Sequence, residues 1–157
     1  MKLGRSVKAL LLATTIAGVA APATASATDD ITQNAVGQYE LHYKNSTAVS
    51  YWFASPCDDS ADHCIKVEEY SSPDTTKKVR WTSNAFWTVG SWIMAPVNGD
   101  RSCEDGTKYG VTYHYEWDAA KNTGWRSYSE PGLCDGREAG NVSAQFSLAK
   151  VGPPPTP

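Results

Sequence analysis

The 157-residue sequence lacks any run of basic residues, and after residue 27 it lacks a segment apolar enough to cross a bilayer. It contains 14 lysines and arginines against 17 acidic residues, and three of the basic residues lie among the first 27. Beyond residue 27, eleven basic residues therefore oppose 17 acidic ones, a net charge of −6. Because binding to nucleic acid depends mainly on lysine and arginine, this balance argues against a nucleic-acid partner.

The sequence motifs of the common catalytic sites are also missing. There is no G-x-S-x-G nucleophile elbow, no H-E-x-x-H zinc motif, no glycine-rich phosphate loop and no dinucleotide fingerprint. The remaining route to catalysis is a set of carboxylates that meet only in the folded chain, as in glycoside hydrolysis. We therefore expect no catalytic residue, no metal ligand and no cofactor.

The first 27 residues have the three parts of a signal peptide. Lys2, Arg5 and Lys8 precede an apolar stretch over 9–23, and the small residues 25–27 fit a signal peptidase. The apolar stretch is too short for a membrane anchor, so we expect a secreted or extracytoplasmic protein. The predicted organisation is a signal peptide over 1–27, a flexible arm over 28–37, one β domain over 38–151 and a proline-rich disordered tail over 152–157.

From residue 38 the chain consists of short β-branched and aromatic runs separated by turn-forming residues. The alternation is clearest at Val111, Tyr113, Tyr115 and Trp117, which share one face of a predicted strand. Antiparallel strands with one solvent-facing side show this pattern, and no segment beyond the leader has a sustained helical period. Eight strands are predicted, over 38–43, 48–54, 64–70, 77–82, 86–95, 109–117, 122–128 and 142–150.

The connections between these strands are short, which favours an up-and-down antiparallel meander. Closing the meander into a small barrel removes both exposed sheet edges. The sequence therefore predicts an all-β barrel of about eight strands, with a two-sheet β-sandwich as the alternative.

The four cysteines all follow the leader, and in an exported protein an even number favours disulfides. In a meander, successive loops alternate between the two ends of the barrel. Cys57 and Cys64 flank one loop, and the loops that hold Cys103 and Cys134 lie at the same end as each other. Of the three possible connectivities, this parity favours Cys57–Cys64 with Cys103–Cys134, because Cα atoms must approach within about 7 Å.

Motifs spread over most of the domain resemble those of small secreted actinobacterial proteins, mainly mycobacterial. They are Tyr51-Trp52, Ser55-Pro56-Cys57, Cys64-Ile65-Lys66-Val67, Trp92, Cys103-Glu104-Asp105-Gly106, Tyr115-Glu116-Trp117-Asp118, Gly124, Leu133-Cys134-Asp135-Gly136, Ala139-Gly140 and Phe146-Ser147-Leu148-Ala149-Lys150-Val151. The resemblance implies an all-β fold with the same two disulfides, and it implies no activity. The chain departs from this pattern in the six residues 58–63 between its first two cysteines, where the family has a tighter glycine-rich turn.

Aromatic residues are the unusual feature of the domain, which contains six Trp, eight Tyr and three Phe. They either fill the barrel or line a cavity for a small ligand. The candidate ligand-binding residues are Trp87, Trp92, Trp117, Tyr113 and Tyr115. We expect a non-catalytic binding or interaction domain of the cell envelope or extracellular space, with an envelope glycan, lipid or protein as partner.

Two other functions remain open at this stage. A secreted hydrolase would use carboxylates with His114 or His42, each of which shares a strand face with a glutamate two residues away, although an outward polar face explains both pairs. A structural envelope protein would bind no small ligand. The acidic segment 58–63 matches no calcium-loop pattern, so we interpret it as a solvated turn.

Overall fold

The computed structural model describes residues 27–58 and 61–153. Nearly all of the predicted signal peptide and the last four residues of the predicted tail lie outside these ranges. The elements are α1 Ala27–Ala35, β1 Gly37–Tyr43, β2 Val49–Pro56, β3 Cys64–Tyr70, β4 Trp81–Thr88, β5 Ser91–Met94, β6 Val97–Ser102, β7 Lys108–Asp118, β8 Thr123–Glu130 and β9 Gly140–Gly152. In the described part of the chain, no helix has the length and hydropathy needed to span a membrane.

Eight of the nine strands form a closed antiparallel barrel, which confirms the predicted fold class. Each strand from β1 to β4 pairs with the next one, β7 pairs with β8, and β9 pairs with both β8 and β1. The barrel closes where Trp92 of β5 pairs with Trp117 of β7. Strand β6 is additional, because it pairs only with the first half of β7. The end that carries α1 and the β2–β3, β4–β5 and β7–β8 loops is called the α1 end.

The structure corrects the predicted limits of two strands and adds one. Residues 77–80 lie in a loop, and the predicted strand over 86–95 is divided by a two-residue turn at Val89 and Gly90. Both turn residues have positive φ, as a tight hairpin requires, but valine gives no sequence signal for such a turn. Asn98-Gly99-Asp100, a sequence typical of a turn, lies inside β6.

The segment 28–37 was predicted as a flexible arm, and the structure places helix α1 over most of it. Ile31 and Ala35 lie four residues apart and pack together against the barrel core. The last carbonyl groups of the helix accept hydrogen bonds from the barrel. Tyr39 Oη donates to Ala35 O at 2.9 Å, and Lys150 Nζ donates to Asn34 O at 3.1 Å. Such contacts satisfy the C-terminal carbonyls that a helix leaves unpaired.

The two predicted disulfides are confirmed. Cys57 is bonded to Cys64 at the α1 end, with Cα atoms 5.6 Å apart. Cys103 is bonded to Cys134 at the opposite end, with Cα atoms 5.3 Å apart. Each end of the barrel is therefore held by one covalent link, and such pairs are typical of an oxidising environment.

Candidate functional site

A cavity of about 380 Å³ opens into the barrel at the α1 end. Its volume lies in the lower part of the range of roughly 300–1,000 Å³ that is typical of small-molecule sites. Most of its lining is apolar or aromatic. The lining residues are Ile31, Asn34, Ala35, Tyr39, Trp52, Ala54, Ile65, Val67, Trp87, Gly90, Trp92, Trp117, Ala119, Ala120, Asn122, Leu148 and Lys150.

One wall of the cavity consists of three tryptophans on neighbouring strands. Trp87 of β4 is the cross-strand partner of Trp92 in β5, which in turn is the partner of Trp117 in β7. Directly opposed residues on adjacent strands place their side chains on the same face. The rings of Trp92 and Trp117 stack with their centroids 6.3 Å apart. The result is a continuous aromatic surface on the interior of the barrel.

Trp52 forms the floor of the cavity and separates it from the filled half of the barrel. Its side chain is only 1% exposed, and its ring meets four others edge-on at centroid distances of 5.4–5.7 Å. Its indole Nε1 donates a hydrogen bond of 2.9 Å to Glu69 Oε2. Because this donor is already occupied, Trp52 presents only its ring to a molecule in the cavity.

Glu69 is a buried carboxyl group that supports the floor from below. Arg80 lies 2.9 Å from its Oε1 atom, so both carboxyl oxygens have a partner. Burial raises the pKa of Glu69 above its ordinary value, while the bond from Trp52 and the charge of Arg80 act in the opposite direction. Glu69 is therefore a structural acid that fixes Trp52, and it is not among the residues that line the cavity.

Helix α1 covers part of the cavity mouth. Ile31 and Ala35 line the cavity from above, and two backbone carbonyl groups and one ammonium group of the rim are already engaged. Lys150 Nζ is bonded to Asn34 O, and the carbonyl oxygen of Asn122 accepts a bond from Leu148 N. The cavity thus offers broad apolar contact, with few polar side chains in its lining, an arrangement that suits an apolar molecule.

The structure brings together three of the five predicted ligand-binding residues. Trp87, Trp92 and Trp117 lie on the cavity wall, whereas Tyr115 lies below the floor against Trp52. Tyr113 lies still deeper, where its ring contacts Tyr128. Strand alternation placed Tyr113, Tyr115 and Trp117 on one face of a strand, but it carries no information on which layer of the barrel each one fills.

Sequence reasoning missed the residues that form the floor and the roof of the cavity. Trp52 faces the barrel interior, as does Ala54 two residues further along β2. The sequence of β2 alone did not show which of its residues face inward. Ile31 is the only large apolar residue in the polar segment over 28–35, and its four-residue spacing from Ala35 was the available signal for a packed helix. His63, in the loop between the first two cysteines, also approaches the site, with its ring 5.3 Å from that of Trp87.

The histidine–glutamate pairs lie away from this cavity. His42 Nε2 is 3.1 Å from Glu40 Oε2 on the outer side of β1, and His114 is exposed on the outer face of β7. In the acidic loop, Asp58 is paired with Lys66 at 2.9 Å, and Asp59 lies outside the described residues. Within the described ranges, no group of three or more His, Cys, Asp or Glu side chains is arranged to hold a metal ion.

Comparisons of the chain with protein-family models, with curated proteins and with solved structures find no match. The geometry of the barrel is therefore the basis for a functional proposal. That geometry is an apolar cavity walled by tryptophan, floored by a fixed indole ring and partly covered by a short helix.

Proposed function

We propose that the protein is a secreted, non-catalytic binding domain that holds a small apolar molecule in the cavity at its α1 end. The observation that carries the proposal is the unfilled space beside Trp87, Trp92 and Trp117. A barrel whose aromatic residues served only as core filling would have closed this space, because protein interiors are packed nearly as densely as organic crystals.

The shape of the cavity favours a ligand with a flat ring or a short aliphatic chain. Aromatic walls contact such groups over a large area, and the burial of apolar surface supplies most of the binding free energy. The disulfide at the α1 end supports the same proposal, because a rigid rim keeps the cavity open without a ligand. The two disulfides and the resemblance to small secreted actinobacterial proteins support export as the setting for this role.

The proposal can be tested with N-phenyl-1-naphthylamine, a neutral apolar dye that fluoresces strongly only in apolar surroundings. We expect the processed protein to enhance its fluorescence in a saturable way. The Ala54→Leu variant places extra volume directly in the cavity, because Ala54 is buried and lines it. This variant is expected to lose the enhancement while its melting temperature stays the same or rises.

The matched control is Ala149→Leu, which adds the same volume on the exposed outer face of β9. We expect it to bind the dye as the unmodified protein does. Failure of the unmodified protein to bind the dye would overturn the proposal. Equal binding by the Ala54→Leu variant would overturn it as well, because the dye would then occupy another place.

A further inference from the structure

A second opening lies in the barrel wall, towards the end opposite α1. Strand β1 ends at Tyr43, which pairs with Phe146, so the first part of β9 extends beyond it and pairs only with β8. A groove of about 630 Å³ lies at this gap, beside the β1–β2 turn. It is lined by Tyr43, Lys44, Asn45, Ser46, Trp125, Arg126, Ser143, Ala144 and Gln145.

Arg126 is an unusual cation at the inner side of this groove. Its guanidinium lies 4.4 Å from the ring centroid of Tyr43 and 5.1 Å from that of Tyr113. Within the described residues, no carboxylate oxygen lies within 4.0 Å of it, and its buried Nε atom has no hydrogen-bond partner. Glu69, whose carboxylate feels the charge of Arg126, is already bound to Arg80.

A buried polar atom without a partner carries an energetic cost, and in native structures it calls for an explanation. The cross-strand partner of Arg126 is Ala144, whose methyl group leaves the guanidinium open towards the gap beside β9. Lys44 lines the same groove and is exposed. Among the described residues, neither of these two cations has a carboxylate partner within 4.0 Å, and both face one groove although the chain beyond residue 27 is acidic overall.

The outer side of the groove has a different character. Trp125 is 54% exposed, and its cross-strand partner is Gln145 on the same face. Asn45, Ser46 and Ser143 complete this side with amide and hydroxyl groups. An exposed indole ring beside amides and hydroxyls contacts the apolar face of a sugar while the polar groups bond to its hydroxyls.

We propose that this groove binds an acidic carbohydrate, a sugar chain whose residues carry carboxylates. Arg126 and Lys44 bind a carboxylate, and Trp125 stacks on the adjacent sugar ring. Arginine suits this role because its planar guanidinium matches the two oxygens of a carboxylate. The site lies apart from the apolar cavity at the α1 end and is independent of the function proposed for that cavity.

The test compares two forms of one sugar chain, one with free carboxylates and one whose carboxylates are neutralised as methyl esters. The probes are tetragalacturonate and its fully methyl-esterified form, titrated into the processed protein by isothermal calorimetry. Because hydrogen bonds to charged groups are the stronger ones, we expect the acidic form to bind about tenfold tighter or more, and to weaken as salt is raised. Equal affinity for the two forms, or no binding of either, would overturn the proposal.

Variants then assign the contacts. Lys44→Gln and Trp125→Ala both change exposed side chains, so we expect the fold to survive and the affinity for tetragalacturonate to fall. The controls are Lys108→Gln, the same change as in Lys44→Gln, and Phe86→Ala, which removes another exposed aromatic ring; both lie outside the groove and are expected to have no effect. Unchanged affinity in both groove variants would refute the assignment.

Arg126→Lys keeps the positive charge but removes the planar guanidinium that matches both carboxylate oxygens. We therefore expect weaker binding of tetragalacturonate with an unchanged circular dichroism spectrum. If this variant unfolds, Lys44→Gln and Trp125→Ala decide whether the groove binds the sugar.

Inorganic phosphate serves as a competitor for tetragalacturonate. Its displacement of tetragalacturonate at equal concentration would show that the groove selects only a small anion, and the carbohydrate assignment would be wrong. The apolar dye should not compete with tetragalacturonate, since it enters the other end of the barrel.

Discussion

The turn between β4 and β5 contains a residue that its backbone conformation does not favour. Val89 and Gly90 connect Thr88 to its cross-strand partner Ser91, with φ angles of +46° and +91°. A two-residue hairpin with positive φ at both positions is a type I′ turn, for which asparagine followed by glycine is preferred. Val89 is 91% exposed, so its side chain gains little from burial to offset this conformation.

The cost at Val89 can be estimated from its backbone. A left-handed conformation costs an L-residue about 1–2 kcal/mol, and asparagine tolerates it better than a β-branched residue does. We therefore expect Val89→Asn to raise the free energy of unfolding by about 1 kcal/mol, or the melting temperature by roughly 3–5 °C. Val89→Gly relieves the same strain but adds about 0.5–1 kcal/mol of unfolded-state entropy, so its gain is smaller.

The assay is urea unfolding of the processed protein, followed by tryptophan fluorescence and circular dichroism. Val142→Asn is the matched control, because Val142 lies in β9, where the extended backbone favours a β-branched residue. We expect this control to lose stability while Val89→Asn gains it. Equal losses in the two variants would refute the reasoning from φ. Binding of the apolar dye is expected to be unchanged, since Val89 is not among the cavity-lining residues.

Two further predictions concern stability. Burial raises the pKa of Glu69 above 4.5, so its contribution to stability is complete below pH 4.5 and is lost as the pH rises through the folded-state pKa. Glu69→Gln is therefore expected to gain stability relative to the unmodified protein between pH 4.5 and pH 7 in urea unfolding, and a constant difference would contradict this. Replacing Cys103 and Cys134 by serine opens a loop with a sequence separation of 31, against 7 for Cys57 and Cys64. In chemical denaturation, the free energy of unfolding is expected to fall by about 4 kcal/mol without Cys103–Cys134 and by about 2.5 kcal/mol when Cys57 and Cys64 are replaced by serine instead. Equal losses would contradict the chain-entropy explanation.

The fold could be predicted where alternation and loop parity acted together. The inward face of β7, with Tyr115 and Trp117, and that of β9, with Phe146 and Leu148, follow directly from a period of two. The disulfide Cys103–Cys134 followed because strand parity brings its two loops to one end. These features depend on local patterns that the tertiary structure did not override.

The remaining parts of the fold depend on contacts that no local pattern contains. Nothing in the Val89-Gly90 pair marks a hairpin apart from the glycine, so the end of β4 and the whole of β5 were predicted as one strand over 86–95. Strand β6 contains Asn98-Gly99-Asp100, which is typical of a turn, and it is extended only because β7 pairs with it along six residues. Helix α1 is stabilised mainly by packing on the barrel, since an isolated helix of nine residues is marginal in water.

The cavity follows from the sizes of the inward-facing residues along the barrel. At mid-height the interior is filled by rings around Trp52, including those of Trp81, Tyr115 and Phe146. Towards the α1 end the inward positions of β2 and β3 hold the smaller Ala54, Ile65 and Val67, and open space remains between these side chains and the wall tryptophans. Strand alternation assigns a side chain to the interior, whereas the volume left open depends on which strands meet at each level. A change from small to large at Ala54 therefore tests the binding role more directly than removal of any single tryptophan, because it alters that volume without removing a core ring.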